Sequence, residues 1–394
     1  MPGPRCSYDA GAARVIDGDG RLAEARRIHG DLPVVDGHND LPWELWARAG
    51  GDLSAADPSG YLDGFHTDLP RLLQGGVGLQ FWSVYVPAYS RHPLRETHRQ
   101  IDIVEEMTRR APGFTALAAT ADDAATIRAS GRIAGMMGAE GGHQIENSLD
   151  AIGELHRRGV RYITLTHADT TDWADSATDD ARHGGLAPFG EDVVREMNRV
   201  GMMVDISHVA ADTMRDAVRV SRAPVIASHS SAYELARHPR NVPDDVLRMV
   251  ADTGGVVMVT FVPAFVVEAT AQMALGMFEE DRRLRASFDD DDEAGYLEAR
   301  REMVADRKID RGTPADVVDH IEYIRDIAGV DHIGLGGDYD GVDVLPVGLD
   351  DVTCYPAITA ELLRRGWAET DIRKVLGENA MRVLRAAEEA TQTW

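Results

Sequence analysis

Cysteine is nearly absent from this 394-residue sequence, with Cys6 and Cys354 its only representatives. Two cysteines so far apart in sequence make no disulfide framework. No Cys-x-x-Cys pair exists either, so any metal must be held by histidine and carboxylate. Lysine is equally scarce: Lys308 and Lys374 stand alone, arginine carries almost all the positive charge, and no function follows from that. Basic runs are missing too. Lys+Arg number 41 against Asp+Glu 66, a formal charge of -25, and this balance excludes a nucleic-acid partner, which needs a concentrated basic face. No apolar stretch approaches the ~20 residues of a membrane helix. The N-terminus, MPGPRCSYDAGAARVIDGDG, has no apolar segment after a basic start. The expectation is a cytoplasmic protein that neither spans nor binds a membrane.

What is present is a rhythm. Apolar, β-branched runs recur at 32–35, 77–86, 133–137, 160–166, 202–206, 224–227, 255–262 and 332–335. Stretches with apolar residues three and four apart lie between them, among them 148–158, 191–200, 210–220, 243–252 and 315–328. Pro243 with Asp244, and Thr313 with Pro314, read as helix starts. Eight strand–helix units fit a closed α/β barrel, the (β/α)8 TIM barrel, better than a doubly wound sheet, since no GxGxxG opens the first helix. Residues 31–390 are expected to form that single barrel and 1–30 an extension outside it. The segment 264–311 breaks the rhythm. It is long and charged, carries the acidic run 289–292, and reads as a helical insertion after strand seven that is solvated and without chemistry. Two closing helices are expected at 352–365 and 369–390.

A parallel barrel presents its active site at the carboxyl ends of its strands. Strand one ends in His38, Asn39 and Asp40, strand three in Glu140, strand four in His167, strand five in His208, strand six in His229 and strand eight in Asp338. One polar strand end is unremarkable; six aimed at one face are not. The His38-x-Asp40 spacing sends both side chains to the same side of an extended strand. Imidazole and carboxylate without thiolate suit zinc or a similar divalent ion. Five such ligands exceed what one tetrahedral catalytic zinc uses, so two metals sharing a carboxylate is the simpler arithmetic.

The segments DGHNDLPW, GAEGGH, RYITLTHADTTDWADS, VDISHV, APVIASHSSAY, HPRNVPDDVL and IGLGGDYDGV, in this order, closely resemble the membrane (renal) dipeptidase family of amidohydrolase-like, metal-dependent barrels. The resemblance implies a zinc dipeptidase with a binuclear site. It implies that His38 and Asp40 bind one ion, that Glu140 bridges both, and that His208 and His229 bind the second. By the same resemblance His167 contacts the substrate and polarises its carbonyl, Arg240 holds the terminal carboxylate, and Asp338 binds substrate and acts as the acid/base. A D-residue at the C-terminal position of the dipeptide is implied to be tolerated. Vertebrate members are secreted, disulfide-linked and lipid-anchored; the matching signal peptide, cysteines and apolar tail are missing here, so only noncovalent association into a homodimer stays open.

Elementary chemistry agrees with these roles. A hydroxide bridging two divalent ions ~3.5 to 4 Å apart is nucleophilic at neutral pH and attacks the peptide carbonyl. His167 would meet the charge growing on oxygen, Asp338 would pass a proton to the leaving amine, and the planar fork of Arg240 would grip a carboxylate. Competing readings are a helix-start ion pair for Arg240 and a proton-transfer role for Asp340 in place of Asp338. His143, His183, His238 and Trp173 are expected to be structural or pocket-lining. At the level of function, the alternatives are a hydrolase for a lactone, cyclic amide or N-acyl amino acid, and a catalytically silent barrel, which the complete ligand set argues against.

Overall fold

A computed structural model of the chain describes residues 20–289, 292–305 and 307–391. Eight parallel strands close into a barrel: β1 (Val34–Asn39), β2 (Val77–Ser83), β3 (Ile133–Glu140), β4 (Val160–Thr164), β5 (Met203–Asp205), β6 (Ile226–Ala227), β7 (Val256–Val259) and β8 (Ile333–Leu335). Closure is made where Asp36 of β1 pairs with Leu335 of β8. Every residue of these strands is buried, which is why they read as continuous apolar runs and not as an alternation. One further strand, Thr115–Leu117, pairs with Ile133–Gly135 of β3 on the edge that β4 takes over from Met137. The barrel is the (β/α)8 TIM barrel expected from the sequence.

The helices pack through apolar stripes around this ring. Pro188–Val200 begins with a proline in its first turn, buries Val193, Val194 and Met197, and stops at Gly201 with φ 80°. Pro314–Ala328 starts from a reciprocal cap between Thr313 and Asp316. Tyr355–Arg364 corresponds to the first closing helix. The second is broken: Glu369–Arg373 and Asn379–Ala390 flank a widened turn at Lys374–Glu378, where a Cβ on Gly377 would lie 2.6 Å from Val35. Glycine there lets the helix close on β1.

Of the expected N-terminal extension, 1–19 lie outside the described residues. The remainder is the helix Arg21–Asp31, whose Ala25 and Ile28 are fully buried. Cys354 is buried. Cys6, the other cysteine of the sequence, lies outside the described residues.

After β7 come the helices Pro263–Val266, Glu268–Arg285 and Glu293–Ala305. They do not stand off in solvent. Arg300 bridges to Asp343 at 2.9 Å, in the segment that follows β8, and the Tyr296 hydroxyl donates to Asp281 at 3.0 Å between the two longer helices. Asp290 and Asp291 of the acidic run lie outside the described residues.

Candidate metal centre

The strand ends converge as the barrel requires. His38, Asp40, Glu140, His208 and His229 meet around one atom, Oε1 of Glu140. Nε2 of His208 lies 3.0 Å from it, that of His38 3.3 Å and that of His229 3.4 Å. His167 approaches the same oxygen at 3.9 Å. Asp40 joins through His38, with Oδ2 3.2 Å from its Nε2. Asp338 completes a further cluster with His38 and His229 whose donor atoms all lie within 4.8 Å of one another. The His-x-Asp spacing therefore acts as expected, and all six strand ends contribute to one site.

Backbone strain accompanies this convergence. His208 and Asp338 have φ of 67° and 60°, left-handed conformations that side-chain-bearing residues seldom adopt. Each is tied down. The carbonyl of His208 accepts from Ala177 at 2.8 Å and from Thr166 at 3.1 Å, and Asp338 donates its N–H to the carbonyl of His38 at 3.2 Å. A side chain on Gly341 would collide with both Asp338 and Asp40, at 2.4 Å from each. Glycine leaves these carboxylates their space.

Electrostatics matches a cation site. Burial, helped by Arg240 and by neighbouring histidines, holds His208 and His229 well below the usual histidine range, so both are neutral donors. Burial works against ionisation of Glu140, but His38, His208 and His229 outweigh it and keep its carboxyl well below the usual range. Burial raises Asp338 to about 7; His38 and Arg240 oppose this while Asp40 and Glu140 add to it. Nε2 of His38, wholly buried, makes no well-directed hydrogen bond among the described residues, although Asp40 and Glu140 stand 3.2 and 3.3 Å away. Nitrogen lone pairs crowded on one carboxylate oxygen, with no thiolate near, fit a divalent metal of the zinc type.

Of the cluster, Asp40, Glu140 and His208 line a cavity of about 730 Å³ that also takes in Arg240, His167 and Asp338. Arg240 is 2% exposed. It donates from Nη1 to Ser230 at 3.3 Å and from Nη2 to the carbonyl of His229 at 3.4 Å, and forms no ion pair among the described residues. The competing helix-start pairing with Asp244 is not made: Asp244 accepts from Tyr323 and Arg248. Asp340 lines the same cavity; its Oδ1 accepts the N–H of His66 at 2.7 Å, while its Oδ2 makes no hydrogen bond among the described residues. His143 and His238 are mostly enclosed, and burial takes them to about 4 and about 3. Trp173 is buried too. His183 bonds to the carbonyl of Thr171 at 3.1 Å.

Two groups of residues escaped the sequence reading. The first is the outer wall of the cavity, where the inserted helices supply Asp281, Arg282, Arg285, Tyr296, Arg300 and Arg301; the solvated excursion is in fact a side of the pocket. The second lies behind the ligands and comprises Tyr162, Asp205 and Ser228. A polar residue inside an apolar strand was their only signal.

Comparison with known proteins agrees with the geometry. Residues 22–394 match the family model described as membrane dipeptidase, peptidase family M19. Dipeptidase verJ of Clonostachys rogersoniana is 38% identical over 386 residues, covering 95% of this chain and 89% of that protein. Dipeptidase tcpJ of Claviceps purpurea (strain 20.1) is 39% identical over 368 residues, covering 90% and 77%. A metallo peptidase from Rhodobacter sphaeroides, solved with a phosphinate mimic of the dipeptide L-Ala-D-Ala, superposes with a TM-score of 0.73 at 26% identity, covering 90% of this chain and 99% of that one. With a barrel, a histidine–carboxylate centre and a family match that spans nearly its whole length, the chain belongs to the membrane dipeptidase family, peptidase family M19.

Proposed function

We propose that the protein is a metal-dependent dipeptidase that hydrolyses dipeptides bearing a free C-terminal carboxylate and accepts a D-residue at that end. The observation that carries this reading is Arg240, an arginine buried beside the metal centre, facing the cavity and lacking a carboxylate partner among the described residues. A buried guanidinium fork of this kind is matched by a carboxylate brought in by a ligand. A carboxylate clamp this near the centre, bonded to the carbonyl of His229, would limit substrates to short ones. The phosphinate bound to the Rhodobacter sphaeroides peptidase mimics an L,D-dipeptide, which supports tolerance of a D-residue here.

In this reading His38 and Asp40 would hold one ion and His208 and His229 a second, with Glu140 available to both. Two divalent ions, zinc by the chemistry of the donors, supply when bound an acidified water as nucleophile and a Lewis acid for the carbonyl. The chain does the rest. Arg240 fixes the substrate carboxylate and so sets the register of the peptide bond. His167, with its ring against Tyr85 at 4.8 Å, donates to the carbonyl oxygen as negative charge develops there. Asp338, raised to about 7 mainly by burial, can take a proton near neutral pH and return it to the departing amine. Trp43 and the inserted helices narrow the approach to this centre.

Among the described residues no helix is long and apolar enough to cross a membrane.

The test compares a dipeptide with its C-terminal amide on the zinc-loaded protein. Rapid cleavage of the acid and slow cleavage of the amide is expected. Equal rates, or turnover of lactones and cyclic amides alone, would contradict the proposal.

A further inference from the structure

Two of the expected ligands press their Nδ1 atoms against hydroxyl groups whose own hydrogens are already committed. The hydroxyl of Tyr162 donates to the carbonyl of Gly37 at 3.0 Å. Only its lone pairs remain for Nδ1 of His38, 2.8 Å away. With the Tyr162 hydrogen on Gly37, Nδ1 of His38 donates to the Tyr162 oxygen, and Nε2 is the nitrogen that faces Glu140, at 3.3 Å. Ser228 repeats the arrangement on the other side of the barrel. Its Oγ lies 2.5 Å from Oδ2 of Asp205 and 2.8 Å from Nδ1 of His229, while its remaining neighbour, Oγ of Ser207, stands at 3.4 Å.

Asp205 is fully buried and saturated with donors. Oδ1 accepts the N–H groups of Ser207 at 3.0 Å and Ser228 at 2.9 Å, and Oδ2 accepts the hydroxyls of Thr164 at 3.0 Å and Ser228. A carboxylate can only accept, so the Ser228 hydrogen points to Asp205 and His229 donates from Nδ1 to the serine oxygen. The barrel makes room for the first relay as well: a Cβ on Gly138 would lie 1.9 Å from the Tyr162 ring. Glycine at that point of β3 lets a β4 tyrosine reach across to β1.

We propose that Tyr162 and the Asp205–Ser228 pair are positioning residues, each fixing the tautomer of one histidine so that both Nε2 atoms are metal donors. The inference rests on the reading that His38 and His229 bind metal. It adds that the two relays act on different ions. Groups that orient a ligating imidazole commonly contribute about 10- to 100-fold in metal affinity.

The test reverses the polarity of one relay while keeping its shape. In Asp205→Asn the amide oxygen stays on the two backbone N–H groups, so the NH2 faces Ser228. The serine hydrogen then turns to His229 Nδ1, and the imidazole hydrogen moves to Nε2, where a metal would bind. Zinc affinities are read by competition with a chromophoric chelator in the absence of substrate, with the absorption spectrum of the cobalt-loaded protein as a second readout. Asp205→Asn is expected to weaken one of two ions by about 10- to 100-fold and Tyr162→Phe the other, each with a change in the cobalt spectrum. Ser228→Ala should weaken the same ion as Asp205→Asn, and Ser228→Thr, which keeps the hydroxyl, should restore it. If Asp205→Asn does not fold, the Ser228 pair decides. Unchanged affinities in Ser228→Ala and Tyr162→Phe, or equal weakening of both ions by each, would overturn the proposal. A zinc-replete parent that cleaves no dipeptide would sink the functional reading and leave this result standing.

Discussion

The Nε2 atoms of His208 and His229 lie 2.8 Å apart, and both lie within 3.4 Å of the same oxygen of Glu140. With His229 donating from Nδ1 to Ser228, its Nε2 offers a lone pair to the His208 ring. Such an arrangement is stabilised by a cation placed between the nitrogens and the carboxylate. Metal removal should therefore lower stability. Zinc at 100 times its dissociation constant adds about 2.7 kcal/mol for each site that binds the folded chain alone. Melting of the chelator-treated protein with and without added zinc checks this; identical Tm values would contradict it.

Arg240→Ala should act on substrate binding. Losing one partner of a buried charge pair costs about 2 to 5 kcal/mol, so kcat/KM for a dipeptide acid should fall by about 30- to several-thousand-fold, mostly through KM. The C-terminal amide, which has no carboxylate to lose, should be little affected. Parallel losses for acid and amide would mean that Arg240 shapes the site without gripping the carboxylate.

Asp338→Asn should trade activity for stability in the metal-free protein. Burial raises the folded-state pKa of Asp338 to about 7, against an ordinary value of 3.8. The folded chain thus holds this proton more tightly than the unfolded one. That contribution is fully present below about pH 4, declines between 4 and 7, and above 7 becomes the cost of a buried charge. Asparagine escapes the decline, so the variant should be more stable than the parent at pH 8, by on the order of a few kcal/mol, and no more stable at pH 4. Activity of the zinc-loaded variant should fall about 10²- to 10⁴-fold. Chemical denaturation across this pH range, paired with kinetics, reads both; a flat stability difference would count against the account.

Arg300→Ala should loosen the inserted helices from the barrel. The Arg300–Asp343 pair spans 2.9 Å, but its side chains are 34% and 29% exposed. Solvent screening therefore limits its contribution to stability to about 0.2 to 1 kcal/mol. Because both residues line the cavity, the expected result is a small change in Tm, unchanged zinc content and a higher KM. Unchanged KM would return the insertion to the role of a solvated excursion.

The site was legible in the sequence because a parallel barrel aims its strand ends at one face, so a polar residue closing an apolar run carries position as well as chemistry. His38, Glu140, His208 and His229 were found that way. The short strand at Thr115–Leu117 was missed because three residues give no periodicity. Strand β3 reaches Glu140, beyond the expected end at 137, because Gly138 interrupts the apolar run where Tyr162 packs against it. The inserted helices were misjudged for a different reason: arginine and aspartate on a helix read the same whether they face water or wall a cavity. Tyr162 and Asp205 look like ordinary strand residues, and their importance depends on partners across the barrel, at Gly37, His38 and Ser228. Sequence spacing carries no such information.

The central claim, a two-metal dipeptidase, is tested most directly by elemental analysis of the purified protein coupled to hydrolysis of L-L, L-D and D-L dipeptides by the same sample. The account predicts two divalent ions per chain, with cleavage of L-L and L-D dipeptides. A metal-replete sample that cleaves none of the three, or less than one tightly held ion per chain, would contradict it.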